Sequence, residues 1–342
     1  MSTLQIGLAI VGVLVLAAIV AHGAWSARKV APRQAIADAL PHAADEGAIE
    51  PSLETEAFAP TLLVPVAERR PGLDALIDVI APIGAEAAIY GEVAAAALPP
   101  TRRVGSKPFA VEGLNRQSRL WETPLPGRVY ESFQAGVQLA NRSGALNEIE
   151  FSEFVAKAQA FCDAVGGTPD FPDMLEEVAR ARELDQFASG HDAQLGFTLR
   201  ALSAAWSPGY VQQHAARLGF VAGAIPGRMV LPASDTGLPP VLSLAFDTQA
   251  ALADDPAQAA VRELALALDV PQVDRSERPF VRLREVAQAM AQAMDGAITD
   301  DNGQILARET MDTIGGELEG LYDTLEQRDL AAGSALARRL FS

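Results

Sequence analysis

Between Leu4 and Ala24 the chain runs LQIGLAIVGVLVLAAIVAHGA without a formal charge, and only Gln5 and His22 are strongly polar. At about 1.5 Å per residue, a helix over this stretch covers a hydrocarbon core of about 30 Å, which predicts one transmembrane helix. Apolar periodicity then lapses over residues 30–58, which are rich in Ala, Pro and Glu and are interrupted by Pro32, Pro41 and Pro51. That composition predicts a flexible linker with a reach on the order of 30 Å. Further on, extended segments are expected at 75–83, 108–114, 129–140, 194–202, 227–232, 240–247 and 261–270. Helical stretches are expected at 85–98, 151–165, 174–187, 208–220, 280–294 and 307–330. The alternation is clearest in VRELALALDV, where Leu264, Leu266, Leu268 and Val270 point one way and Glu263, Ala265, Ala267 and Asp269 the other. One face of such a strand packs on helices and the other is free to stay open.

The elements come round twice. AQAFCDAVGG, from Ala158, faces AQAMAQAMDG, from Ala287, and at the same offset Phe151 meets Phe280, Phe154 meets Leu283, and Val137 and Leu139 meet Leu266 and Leu268. One offset held over a strand, a loop and a helix points to two copies of a unit; shared Ala richness is the competing explanation. The reading is α+β: an N-terminal transmembrane helix, then two tandem units, each an antiparallel-type sheet covered by helices on one face. The boundaries are an anchor at 1–29, a linker at 30–58, a first unit at 59–188, a second at 189–330 and a tail at 331–342.

Charge sets the orientation. Met1 to Thr3 carry no Lys or Arg, whereas Arg28, Lys29 and Arg33 follow Trp25, so the N-terminus is expected outside and the bulk in the cytoplasm. A cleaved secretory signal is the competing reading; it needs a basic stretch ahead of the apolar run, and none is present. The single cysteine, Cys162, cannot build an intrachain disulfide framework. A net charge of −17 disfavours a nucleic-acid surface and broad adhesion to anionic lipid.

No catalytic constellation emerges. His22 and His42 lie in the apolar segment and linker, His191 and His214 lack companion motifs, and Cys162 falls on an apolar helix face. Phosphate-loop, dinucleotide and zinc signatures are missing, so neither a cofactor nor a metal is expected.

The string IVAHGAWSARK at 19–29, the linker, and the stretches LGFVAG, PVLSLAF and FVRLREVAQAMAQAMDGAITDDNGQIL at 218–223, 240–246 and 280–306 resemble the ZipA family of bacterial cell-division proteins. That resemblance covers the first thirty residues and about 190–328. It implies an inner-membrane anchor with a periplasmic N-terminus, whose cytoplasmic domain holds the C-terminal tail of the division protein FtsZ across the open sheet face. The residues then expected to meet the tail are Met229, Leu231, Ser243, Ala245, Asp247, Ala265, Ala267 and Asp269. Where the family presents large apolar side chains, most of these are small or acidic. A membrane-tethered module for a different peptide or protein is therefore the alternative, and the first unit, with Gln134, Gly136 and Gln138 in equivalent places, is a second candidate surface.

Overall fold

The structure, a computed structural model, describes residues 32–34, 72–255, 259–300 and 303–342. It is mixed α/β, with antiparallel sheets and helices. Leu4 to Ala24, Arg28, Lys29 and most of the expected linker lie outside the described residues. Among the described residues no helix is long and apolar enough to cross a membrane. These residues divide into two units. The N-terminal one takes in 72–194, Asp269–Ser276 and Ile314–Ser342; the C-terminal one takes in 32–34, Leu195–Leu268 and Glu277–Thr313.

In the N-terminal unit, β1 (Asp78–Tyr90) is followed by α1 (Gly91–Ala97), β2 (Arg103–Val104), β3 (Lys107–Asn115), β4 (Trp121–Glu122) and β5 (Val129–Gln138). A small hairpin, β6 (Ala140–Asn141) and β7 (Gly144–Ala145), then leads to α2 (Glu148–Val165), β8 (Gly167–Pro169) and α3 (Met174–His191). The sheet order is β2-β3-β5-β1-β8, with β4 paired to β3. Alternation in β1, β3 and β5 buries Val79, Ala81, Ile83, Phe109, Val111, Phe133, Ala135 and Val137 on one face. Against that face α2 lays Phe154 and Phe161, whose rings meet Phe109 and Phe133 edge-on at 6.1 and 5.3 Å. The helix starts on a reciprocal cap: Asn147 Oδ1 accepts from the Ile149 and Glu150 N–H groups, and Glu150 accepts from the Asn147 N–H. It stops at Gly166, whose φ of 69° is the left-handed conformation glycine adopts without strain.

The Ala-rich stretch 85–90, expected as helix, is strand. Ile89 and Tyr90 pair with Tyr130 and Val129, while Ala85 pairs with Gly167. The ladder takes up Ala85, Ile89 and Tyr90 on either side of an irregularity between Gly84 and Ile89. Its hydrogen bonds outweigh a propensity of a few tenths of a kcal/mol per alanine, so the helix waits until Gly91.

In the C-terminal unit, β9 (Gln194–Ala201) precedes α4 (Pro208–Arg217), β10 (Val221–Ala222), β11 (Arg228–Leu231), β12 (Leu242–Phe246), α5 (Thr248–Ala251), β13 (Glu263–Asp269), α6 (Pro279–Met294) and β14 (Gly296–Thr299). The next helix, α7 (Arg308–Glu326), starts in this unit and belongs to the N-terminal one from Ile314 on. The order here is β10-β11-β12-β13-β9-β14. Leu244, Leu264, Leu266 and Leu268 are buried on one face, as are Leu283, Ala287, Met290 and Met294 of α6. Trp206 is fully buried, and its indole N–H donates to Met294 O at 2.8 Å. Arg33, expected as a topology charge, also meets this unit. Its N–H donates to Ala205 O (2.6 Å), its carbonyl accepts from the Ser207 N–H (2.8 Å), and its guanidinium donates to Asp295 Oδ2 (2.7 Å).

The chain ends with α8 (Ala335–Leu340) in the N-terminal unit, where Ala337, Leu340 and Phe341 are buried.

Candidate docking face

Register decides which side chains share the second face of the C-terminal sheet. Val230 stands opposite Ser243 and Ser243 opposite Ala267; in the next row Arg228 meets Ala245 and Ala245 meets Ala265. Paired residues point to the same side of an antiparallel sheet. One face therefore carries Arg228, Val230, Ser243, Ala245, Ala265 and Ala267, with Val221, half exposed, beside Val230 on β10. Ser243, Ala265 and Ala267 are exposed and Ala245 partly so, while their neighbours Leu244 and Leu266 are fully buried.

The floor is thus a low surface of methyl groups and one hydroxyl. An ion pair between Arg200 and Glu263 (3.2 Å) borders it on one side and Val221 and Val230 on the other. Such a floor brings little bulk of its own, so a ligand that buries much apolar area on it must bring the large side chains. Each Leu or Phe so buried contributes about 1.5–3 kcal/mol.

Four of the eight expected residues, Ser243, Ala245, Ala265 and Ala267, form this floor. Met229 and Leu231 do not join them: they pair with Leu244 and Leu242 on the helix-covered side, and Met229 is 5% exposed. The side chains that β11 offers to the open face are Arg228 and Val230. The alternation of GRMVLP shows that Met229 and Leu231 share a face, but which face follows only from the pairing with β12. Asp247 is exposed at the strand end and caps α5, accepting from the Gln249 N–H at 2.8 Å. Asp269 is taken up in the N-terminal unit, where both its oxygens accept from Arg142 at 2.7 Å while the same guanidinium grips Asp192.

The alternative surface differs. On the second face of the N-terminal sheet lie Asp78, Ile80, Ala110, Glu112, Gln134, Gly136 and Gln138. Gly136 and Gln138 are buried there, and Gln134 donates to Glu112 at 2.8 Å.

The remaining candidates for chemistry have structural settings. His191 stacks on Phe187 with its Nδ1 2.7 Å from Phe187 O, and His214 leans on Tyr210, its pKa lowered by burial and then by Arg217. Burial pushes the Cys162 thiol up to about 11, well away from thiolate chemistry at neutral pH. Among the described residues no group of three or more His, Cys, Asp or Glu is placed to hold a metal ion.

Residues 248–316 match the family model of the ZipA C-terminal FtsZ-binding domain. The match spans α5, β13, α6, β14 and the start of α7, and so includes Ala265 and Ala267. No curated protein matches the chain. The chain is a ZipA-like protein, a likeness that rests on the segment carrying the central strand of the open face and the helix behind it.

Proposed function

We propose that this chain is a non-enzymatic cell-division adaptor that tethers FtsZ polymers to the cytoplasmic face of the inner membrane, with its C-terminal unit holding the FtsZ C-terminal tail. One observation carries the reading: the segment that matches the FtsZ-binding domain includes a strand whose outward residues, Ala265 and Ala267, are exposed on a face its own unit leaves uncovered. An extended apolar tail can lie on such a face, and tethering needs no acid, base, nucleophile or cofactor. The membrane part rests on the uncharged run from Leu4 to Ala24 and on Arg28 and Lys29 behind it.

The tandem arrangement is part of the proposal. Each unit places one strand, β5 or β13, between the strand that opens the unit and one from the hairpin before it. Each follows that strand with a long helix and then a short edge strand paired to the opening one. A peptide partner other than FtsZ is the second reading, favoured by the small floor residues.

The test is capture of FtsZ by the full chain in detergent. Intact FtsZ should be retained, and FtsZ lacking its C-terminal tail should not; equal retention of both would remove the tail from the account. For orientation, a reporter fused after Ser342 is expected to read as cytoplasmic. Periplasmic activity from the intact fusion would reverse the topology.

A further inference from the structure

A tandem of docking units suggests two tails per chain, with the gain in avidity that linked sites provide. The N-terminal unit argues against that. On the sheet face matching the floor of the C-terminal unit, Gly136 and Gln138 stand where Ala265 and Ala267 stand, at the constant offset of the sequence repeat. That face is filled by its own chain. A Cβ on Gly136 would lie 2.5 Å from Leu73 Cδ2, so the leucine occupies the hole the glycine leaves. The Leu73 N–H donates to Glu112 Oε1 (3.2 Å) and the Asp74 N–H to Asp78 Oδ2 (2.8 Å), carrying residues 72–74 across β3, β5 and β1. From the chain terminus α8 closes the next row. Arg339 pairs with the buried Asp78 and donates to Gly72 O (3.2 Å), and its own carbonyl accepts from Gln138 Nε2 (2.8 Å).

We infer that the N-terminal unit is a docking face occupied in cis by residues 72–74 and α8, so that one chain takes one peptide, on the C-terminal unit. The inference rests on the adaptor reading for its ligand and on the tandem reading for its equivalence of faces. A peptide arriving in trans would have to lift Leu73 from Gly136 and separate Arg339 from Asp78. It competes with a covalently attached occupant, whose effective concentration is high. Avidity at the membrane then comes from several chains side by side rather than from two sites in one.

Two measurements on the full chain in detergent test this. In calorimetric titration with a synthetic FtsZ C-terminal tail, one peptide should bind per chain, and Ala267→Glu should abolish the signal. Two peptides per chain, or a site that survives Ala267→Glu, overturns the inference. The second measurement needs no FtsZ. Cysteines introduced as Gln138→Cys and Ala267→Cys are compared in their rate of reaction with a thiol reagent, with folding checked by circular dichroism. Gln138→Cys should react at least about 100-fold more slowly, because reaction there must wait for the covering segments to open. Equal rates would show an open face and end the inference. A wild-type chain that binds no tail at all defeats the adaptor reading, and the labelling rates still decide whether the face is covered.

Discussion

Ala267→Glu is expected to leave the chain folded and unable to hold the FtsZ tail, whereas Leu266→Glu, one residue away, is expected to unfold the C-terminal unit. The two positions differ only in the side of β13 on which they stand: Ala267 is exposed beside Ser243, and Leu266 is fully buried beside Leu244. A carboxylate at 267 is solvated in the free protein and loses water only when an apolar side chain is laid on it. Leaving that charge unpaired costs several kcal/mol, against about 8 kcal/mol for a micromolar complex. At 266 the same carboxylate enters the layer of Leu264, Leu268, Leu283 and Met290, and the cost falls on folding itself. Circular dichroism and tail binding on both variants settle the matter. A folded Ala267→Glu chain with unchanged affinity would show that this face is not the docking surface.

Arg339→Ala is expected to cost about 3–5 kcal/mol of stability at neutral pH, because it leaves the carboxylate of Asp78 buried without its partner. The loss should depend on pH in a direction that can be worked out. Burial already holds the Asp78 carboxyl above the usual aspartate range, opposed chiefly by the Arg339 guanidinium. A raised folded-state pKa means that the folded chain binds its proton more readily than the unfolded one. Deprotonation therefore opposes folding, and stability falls as pH rises from the unfolded value through the folded one. Without Arg339 the folded value moves higher still. The variant should be weakest at neutral pH and recover as Asp78 takes up a proton on acidification. Adding Asp78→Asn should restore much of the loss at neutral pH. Urea unfolding at pH 7.5 and pH 5, followed by circular dichroism, checks this; equal losses at both pH values would mean that Arg339 acts through packing alone.

Much of the fold was legible in the order of residues, for a local reason. Period-two runs such as ELALALD bury one set of side chains against helices whatever their neighbours are, so β13 and its two faces could be read directly. The helices at 148–165 and 279–294 carry an apolar stripe, and the first is bounded by Asn147 and Gly166, signals that act within one turn. The four small residues of the floor could be named for the same reason.

Tertiary pairing decided the rest. Residues 85–90 read as helix because alanine favours it, and became strand because β5 and β8 supply the hydrogen bonds of a ladder. Met229 and Leu231 alternate as a strand should, but alternation specifies that residues share a face and not which one. The register with β12 turned them to the core and turned Arg228 and Val230 outward. Gly136 and Gln138 look in sequence like an open surface as small and polar as the other. That Leu73 and Arg339 cover them involves contacts between residues far apart in the chain, and no local pattern records those.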